Sequence, residues 1–117
     1  MKIKKSTTKK LFYEILLFTL LAACILACKK AESPGPTEVF MQAKNFNPKQ
    51  ITVSVGTTVT WTNKESTLHT VTSNATLFNS GKMDNGNSFK YQFNAKGVFD
   101  YRCNFHTPTM VGTVIVQ

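Results

Sequence analysis

The amino-acid sequence predicts a small all-β domain, a sandwich or a barrel, and three observations carry that expectation. From Glu38 onward apolar side chains alternate with polar ones, turn-forming residues cut the chain into short runs, and no run repeats at helical spacing. Val39, Met41 and Ala43 share one face of the first run, and Ile51, Val53 and Val55 one face of the second. Asn45 to Pro48 reads as the turn between them, and Gly56-Thr57 as the next reversal. Val59 and Trp61 then face one way, with Thr58, Thr60 and Thr62 on the other side of the pleat. Further β-rich runs fall at His69 to Ser73, Ser88 to Phe93, Val98 to Cys103 and Val111 to Val116, separated by polar turns at Asp84 to Asn87 and Asn94 to Gly97. Met41 and Met83 are expected as core or surface residues. A stretch of about 80 residues closes a single core with a small margin. Trp61 and several phenylalanines fill it.

Ahead of this domain the chain changes character. Five lysines and no acid precede Leu11, and a largely apolar run follows to Ala27, interrupted mainly by Glu14 and Thr19. A basic start followed by an apolar stretch is the layout of a bacterial export signal. The stretch is short for a membrane span, which takes about 20 apolar residues, so a leader is expected rather than a retained anchor. Leu21-Ala22-Ala23-Cys24 and Ile25-Leu26-Ala27-Cys28 both resemble the lipobox of bacterial lipoproteins, whose cysteine is acylated and begins the mature chain. Cys28 is the expected lipidation site, with Cys24 as the alternative, because Lys29-Lys30 and a polar linker follow Cys28 at once. The expected organisation is therefore a leader over 1–27, a linker over 28–37 and a domain over 38–117. Pro34, Gly35 and Pro36 suit the linker to hold a domain off a surface. The expected location is outside the cytoplasm, lipid-anchored to a bacterial membrane, in the periplasm or at the cell surface.

The leader also accounts for much of the charge. It holds five of the 14 basic residues and one of the six acidic ones, which leaves nine and five. Beyond Lys29-Lys30 no basic cluster remains, so nucleic-acid binding has no support. Past Cys28 the sole cysteine is Cys103, which excludes a disulfide inside the domain. A single thiol in an oxidising compartment is a liability unless it is buried or committed to a metal or to chemistry.

The scarce donor residues fall together. The chain has two histidines, His69 and His106, and Cys103, His106 and Met110 lie within eight residues between the ends of two predicted strands. So short a turn lets three side chains converge, and His69, at the start of another β run, is placed to join them. Two imidazoles, a thiolate and a weak thioether form the donor set of blue copper. Thiolate and thioether suit Cu(I) and imidazole also suits Cu(II), so such a site cycles with little rearrangement.

These segments resemble the cupredoxins, the blue-copper family that includes amicyanin, plastocyanin and pseudoazurin. The likeness runs over nearly all of Val39 to Gln117. It is strongest at Gly97-Val98-Phe99-Asp100-Tyr101-Arg102-Cys103-Asn104-Phe105-His106, followed by Met110-Val111-Gly112-Thr113-Val114. Phe46 to Val53, Gly56 to Asn63 and His69-Thr70-Val71 are similar to the family's second strand, third strand and first ligand segment. Three positions depart from the pattern. His106 and Met110 are separated by three residues, between the spacings of amicyanin and plastocyanin. Thr70 stands where the family often has an asparagine that braces the ligand loop. Phe105 replaces the proline that plastocyanin carries before its histidine.

The resemblance implies a Greek-key β-sandwich of seven to eight strands that holds one copper ion on His69, Cys103, His106 and Met110. It implies a monomeric electron carrier and not an enzyme, passing single electrons to and from a redox protein such as a cytochrome or a copper or haem enzyme. His106 is the expected port, with Phe105, Thr107 and Pro108 beside it. Two rival readings use other chemistry: copper storage or delivery on the same ligands, and a zinc-bearing or metal-free interaction module. No nucleophile–base arrangement supports an enzyme. A dinuclear copper centre is excluded because the ligand loop has one cysteine and not two.

Overall fold

The computed structural model describes residues 9–17 and 31–117. Cys24, Cys28 and most of the expected leader lie outside the described residues. Residues 9–17 are helical with exposed side chains and belong to one compact unit, while Ser33–Gln117 forms a second. Among the described residues no helix is long and apolar enough to cross a membrane.

The second unit is a two-layer β-sandwich. Its strands are β1 (Glu38–Gln42), β2 (Asn45–Asn47), β3 (Gln50–Val53), β4 (Thr58–Asn63), β5 (Thr72–Ser73), β6 (Ser88–Gln92), β7 (Gly97–Arg102) and β8 (Val111–Val116). One sheet has the order β2-β1-β4-β6 and the other β3-β8-β7-β5. β1 lies parallel to β4 and β3 parallel to β8, while the remaining pairs are antiparallel. The alternation seen in the sequence sets which face is buried: Val59 and Trp61 of β4 point inward, as do Ile51 and Val53 of β3.

Trp61 is the centre of the core. It is fully buried, with ring centroids of Tyr101, Phe78, Phe89 and Phe93 at 5.4, 5.8, 5.9 and 6.4 Å. Met41 and Met83 are both buried, so they are core residues. Tyr101, two residues before Cys103, is also fully buried, and burial pushes its phenol up to about 12. The ring lies over Gly112, where an added Cβ would meet the Tyr101 Cζ and hydroxyl oxygen at 2.5 Å. Because that ring is packed on all sides, Gly112→Ala is expected to cost about 1–3 kcal/mol through overpacking, read as a lowered melting temperature.

Four local expectations need correction. Ala43 does not extend the first strand; it has φ 51 and Lys44 φ 55, so this pair makes the β1–β2 reversal. Asn45 to Asn47 is not part of a turn but a short strand, because Phe46 is needed inside, where its ring meets Tyr101 edge-on at 4.7 Å. Val55 is exposed in the turn after β3. Of His69 to Ser73 only Thr72 and Ser73 form a strand, while His69 makes a lone bridge to Met83.

The strand directions give the sandwich two distinct ends. The loops after Gln42, Asn63 and Arg102 lie at one end, together with the start of β8. At the opposite end, here called the base, Val55 N donates to Gln117 O and Gly56 N to Phe93 O. The turn after β3, the loop after β6 and the chain's last residue therefore meet there.

Candidate metal centre

His69, Cys103 and His106 come together at the loop end, their ligand atoms all within 4.8 Å of one another. Cys103 follows β7 directly, and β7 is fixed on both sides by β5 and β8, so the thiol starts from a rigid strand. The loop then turns tightly. His106 N donates to Cys103 O, Met110 N to His106 O, and Cys103 N to Met110 O at 3.0 Å. These bonds return the chain to β8 beside its starting point and place Met110, fully buried, in the same apolar cluster as Cys103.

Both imidazoles present Nδ1 to the sulfur, at 3.7 Å for His69 and 3.4 Å for His106. The reason is visible for His69, whose Nε2 meets the Glu65 carboxylate at 2.5 Å. A proton held at Nε2 leaves Nδ1 as the free donor atom. Burial raises the Glu65 pKa, yet the Lys44 backbone N–H and the His69 ring outweigh it and hold the carboxyl below its ordinary value. Asn63 fixes this loop: its amide donates to Thr67 O and Met83 O, and its Oδ1 accepts from Glu65 N.

His106 differs from His69 in access. His69 and Cys103 are fully buried, whereas His106 is partly exposed. Its pKa is lowered, by burial first and then by the positive charge of Lys44, against an opposing pull from Glu65. The ring therefore stays neutral, and available as a donor, at a lower pH than a free imidazole.

Thr70 supplies the loop brace. Its N–H donates to Cys103 Sγ at 3.4 Å, and its Oγ1 accepts from Asn104 N at 2.9 Å while pairing with Thr72 Oγ1 at 3.1 Å. The N–H is directed at the sulfur that would bind the metal. A hydroxyl thus does the work expected of an amide side chain.

Glu65 is the functional residue that sequence reasoning missed. An acid four residues before a candidate ligand histidine is the signal that points to it. Glu65→Gln retains an oxygen to accept the Nε2 proton but removes the charge behind the ligand. Loss of such an outer partner typically costs about 10–100-fold in metal affinity. Since Glu65 is partly exposed, the loss is expected at the low end, measured by Cu(II) competition titration.

A small two-sheet sandwich with two imidazoles and one buried thiol converging at its loop end defines a class: a single-copper β-sandwich domain. The chain belongs to the cupredoxin family, since a family model described as a cupredoxin-like domain matches residues 15–116. It is 32% identical over 107 residues to amicyanin-alpha of Methylorubrum extorquens, covering 83% of this chain and 85% of that protein. A purple cupredoxin from Nitrosopumilus maritimus is 34% identical, with a TM-score of 0.64, covering 69% of this chain and 99% of that one. A variant of amicyanin solved in its Cu(I) form is 26% identical, with a TM-score of 0.65 over 76% of this chain and 87% of its own. The donors present fit one copper ion of the type-1 kind: a buried thiol with an N–H aimed at it, and two imidazoles that offer Nδ1.

Proposed function

We propose that this chain carries single electrons between redox proteins outside the cytoplasm, as a monomeric carrier and not as an enzyme. The observation that supports it best is the contrast between the two histidines: His69 is shut in the interior and His106 opens to the surface beside exposed Phe105. Copper, when bound, supplies the one-electron Cu(II)/Cu(I) couple. Cys103 would provide the most covalent bond, His69 and His106 would supply two further donors, and Met110 would add a weak thioether. Thr70 and Glu65 hold thiolate and imidazole in place, so that little rearranges on electron transfer.

The exposed loop around His106 offers a docking face, with Phe105 47% and Leu68 40% exposed. A cytochrome or a copper or haem enzyme is the class of partner such a face serves. The anchoring half of the reading rests on the leader, with the lipid on Cys28 or, as the alternative, Cys24.

Electron transfer and copper delivery are separated by two rates measured on the same sample. A carrier shows rapid electron self-exchange and slow loss of copper to a chelator; fast copper loss with slow self-exchange contradicts the proposal. The role of Met110 has its own test. Met110→Leu keeps copper and raises the reduction potential, because losing the thioether weakens Cu(II) more than Cu(I). Each tenfold change in relative affinity shifts a one-electron couple by about 59 mV. Voltammetry showing an unchanged or lower potential removes Met110 from the ligand set.

A further inference from the structure

The large apolar side chains that the domain leaves exposed lie at its two ends. Among the described residues of Ser33–Gln117 they are Leu68 and Phe105 at the metal end, and Val55, Leu77 and Val98 toward the base. The second group is the more exposed, with Val98 at 67%, Leu77 at 50% and Val55 at 43%. Leu77 and Val98 are linked through Phe99, and Val55 lies at the base through its N–H bond to Gln117 O. Leu77, Phe93, Ala95 and Phe99 line one depression of about 300 Å³, and Ala75, Val98 and Phe99 line the next, of about 290 Å³, with Phe99 common to both. Lys96 stands in the loop between them, and that loop, Asn94 to Gly97, contains no acid. Asp100 also lines the second depression, where its carboxylate accepts from the Thr113 hydroxyl.

The linker enters the domain from the base side. β1 runs parallel to β4, and Asn63 at the end of β4 lies toward the metal, so Glu38 at the start of β1 lies away from it. Thr37 O accepts from Thr60 N, and Gly35 is tied to Glu38 through Glu38 N to Gly35 O at 3.1 Å and Gly35 N to the Glu38 carboxylate at 2.9 Å. A turn therefore consumes the last part of the linker, and only the seven steps from Cys28 to Gly35 remain as tether. At about 3.3–3.6 Å per residue these reach roughly 25 Å at full extension, and the eleven steps from the alternative Cys24 roughly 40 Å.

From this we propose that the base rests on the membrane, with Val98, Leu77 and Val55 at the lipid interface and Lys96 toward anionic headgroups. The metal end, one strand length away, then faces the aqueous compartment and its redox partner. The inference rests on the lipid-anchor reading. A short tether keeps the base at high local concentration beside the bilayer, and apolar side chains flanked by lysine suit the interface. The two apolar ends thus divide the work, one docking a protein and the other the membrane.

The test uses the full lipidated chain in vesicles of phosphatidylethanolamine and phosphatidylglycerol, with acyl chains either brominated or not. Trp61 is fully buried and supplies the same background in each variant. Val98→Trp is expected to lose the larger part of its added emission in brominated vesicles, while Phe105→Trp is expected to keep its own. Raising the salt, or replacing phosphatidylglycerol by phosphatidylcholine, is expected to weaken the Val98→Trp quenching. Mass spectrometry reports the acyl group independently. Without an acyl group, both the anchor and this inference fall. With the acyl group present, equal quenching of the two probes, or none at Val98→Trp, overturns the inference alone. A concentration-dependent dimer that shields Val98→Trp from brominated lipid and from acrylamide assigns the patch to a second copy and also overturns it.

Discussion

Replacing Cys103 by serine is expected to abolish the intense visible band of the Cu(II)-loaded protein and leave at most a weak ordinary copper spectrum. The band arises from the copper–thiolate bond, and among the described residues Cys103 is the only free cysteine. No neighbouring thiolate takes its place, since Met110 offers only a thioether. The two Nδ1 atoms remain, so some Cu(II) binding persists. The loss of affinity exceeds the roughly 10–100-fold that removal of an outer partner costs, because a charged ligand is lost. The fold itself survives: serine is close to cysteine in size, and β7 and β8 remain paired from Gly97 to Arg102. Circular dichroism of the metal-free variant checks that point beside the absorption spectrum.

The second large effect is on stability. Trp61→Ala removes the ring against which Tyr101, Phe78, Phe89 and Phe93 pack. Deleting a buried aromatic of this size costs about 3–5 kcal/mol, a large part of the ~5–15 kcal/mol that a domain has available. In a domain of this length the melting temperature falls by about 4–8 °C per kcal/mol. Copper offsets part of the loss by binding only the folded state, so the variant is expected to melt much higher loaded than metal-free. Equal melting temperatures for Trp61→Ala and the parent protein would show that the core is centred elsewhere.

The sequence was legible where one residue type serves one purpose. The alternation of Val59 and Trp61 with threonines announced β4 because each inward position is apolar and each outward one polar. The scarcity of histidine and cysteine made His69, Cys103 and His106 readable as a set, and the structure brings their donor atoms together. Asn45 to Asn47 was not legible, because a three-residue strand with one inward side chain has the composition of a turn. His69 escaped strand pairing because its loop is held by Asn63 and Glu65 through hydrogen bonds to Thr67, His69, Lys44 and Met83, which the alternation of apolar and polar residues does not announce. Glu65 escaped for the same reason, since a carboxylate five residues after Thr60 looks like any solvated charge until the ring of His69 is placed beside it. Thr70 departs from the family pattern, and its hydroxyl shows how a shorter side chain keeps the brace. Met110 is held close by backbone bonds to Cys103 and His106, and its sulfur is the donor that only a metal-loaded measurement tests.

The most direct test of the site is a joint visible absorption and electron paramagnetic resonance spectrum of the Cu(II)-loaded protein. The thiolate, the two Nδ1 donors and the brace at Thr70 predict an intense thiolate-to-copper band together with the narrow hyperfine splitting of a covalent copper–sulfur bond. A tetragonal copper signal with wide splitting and no intense band would contradict the assignment of His69, Cys103 and His106 as one blue-copper centre.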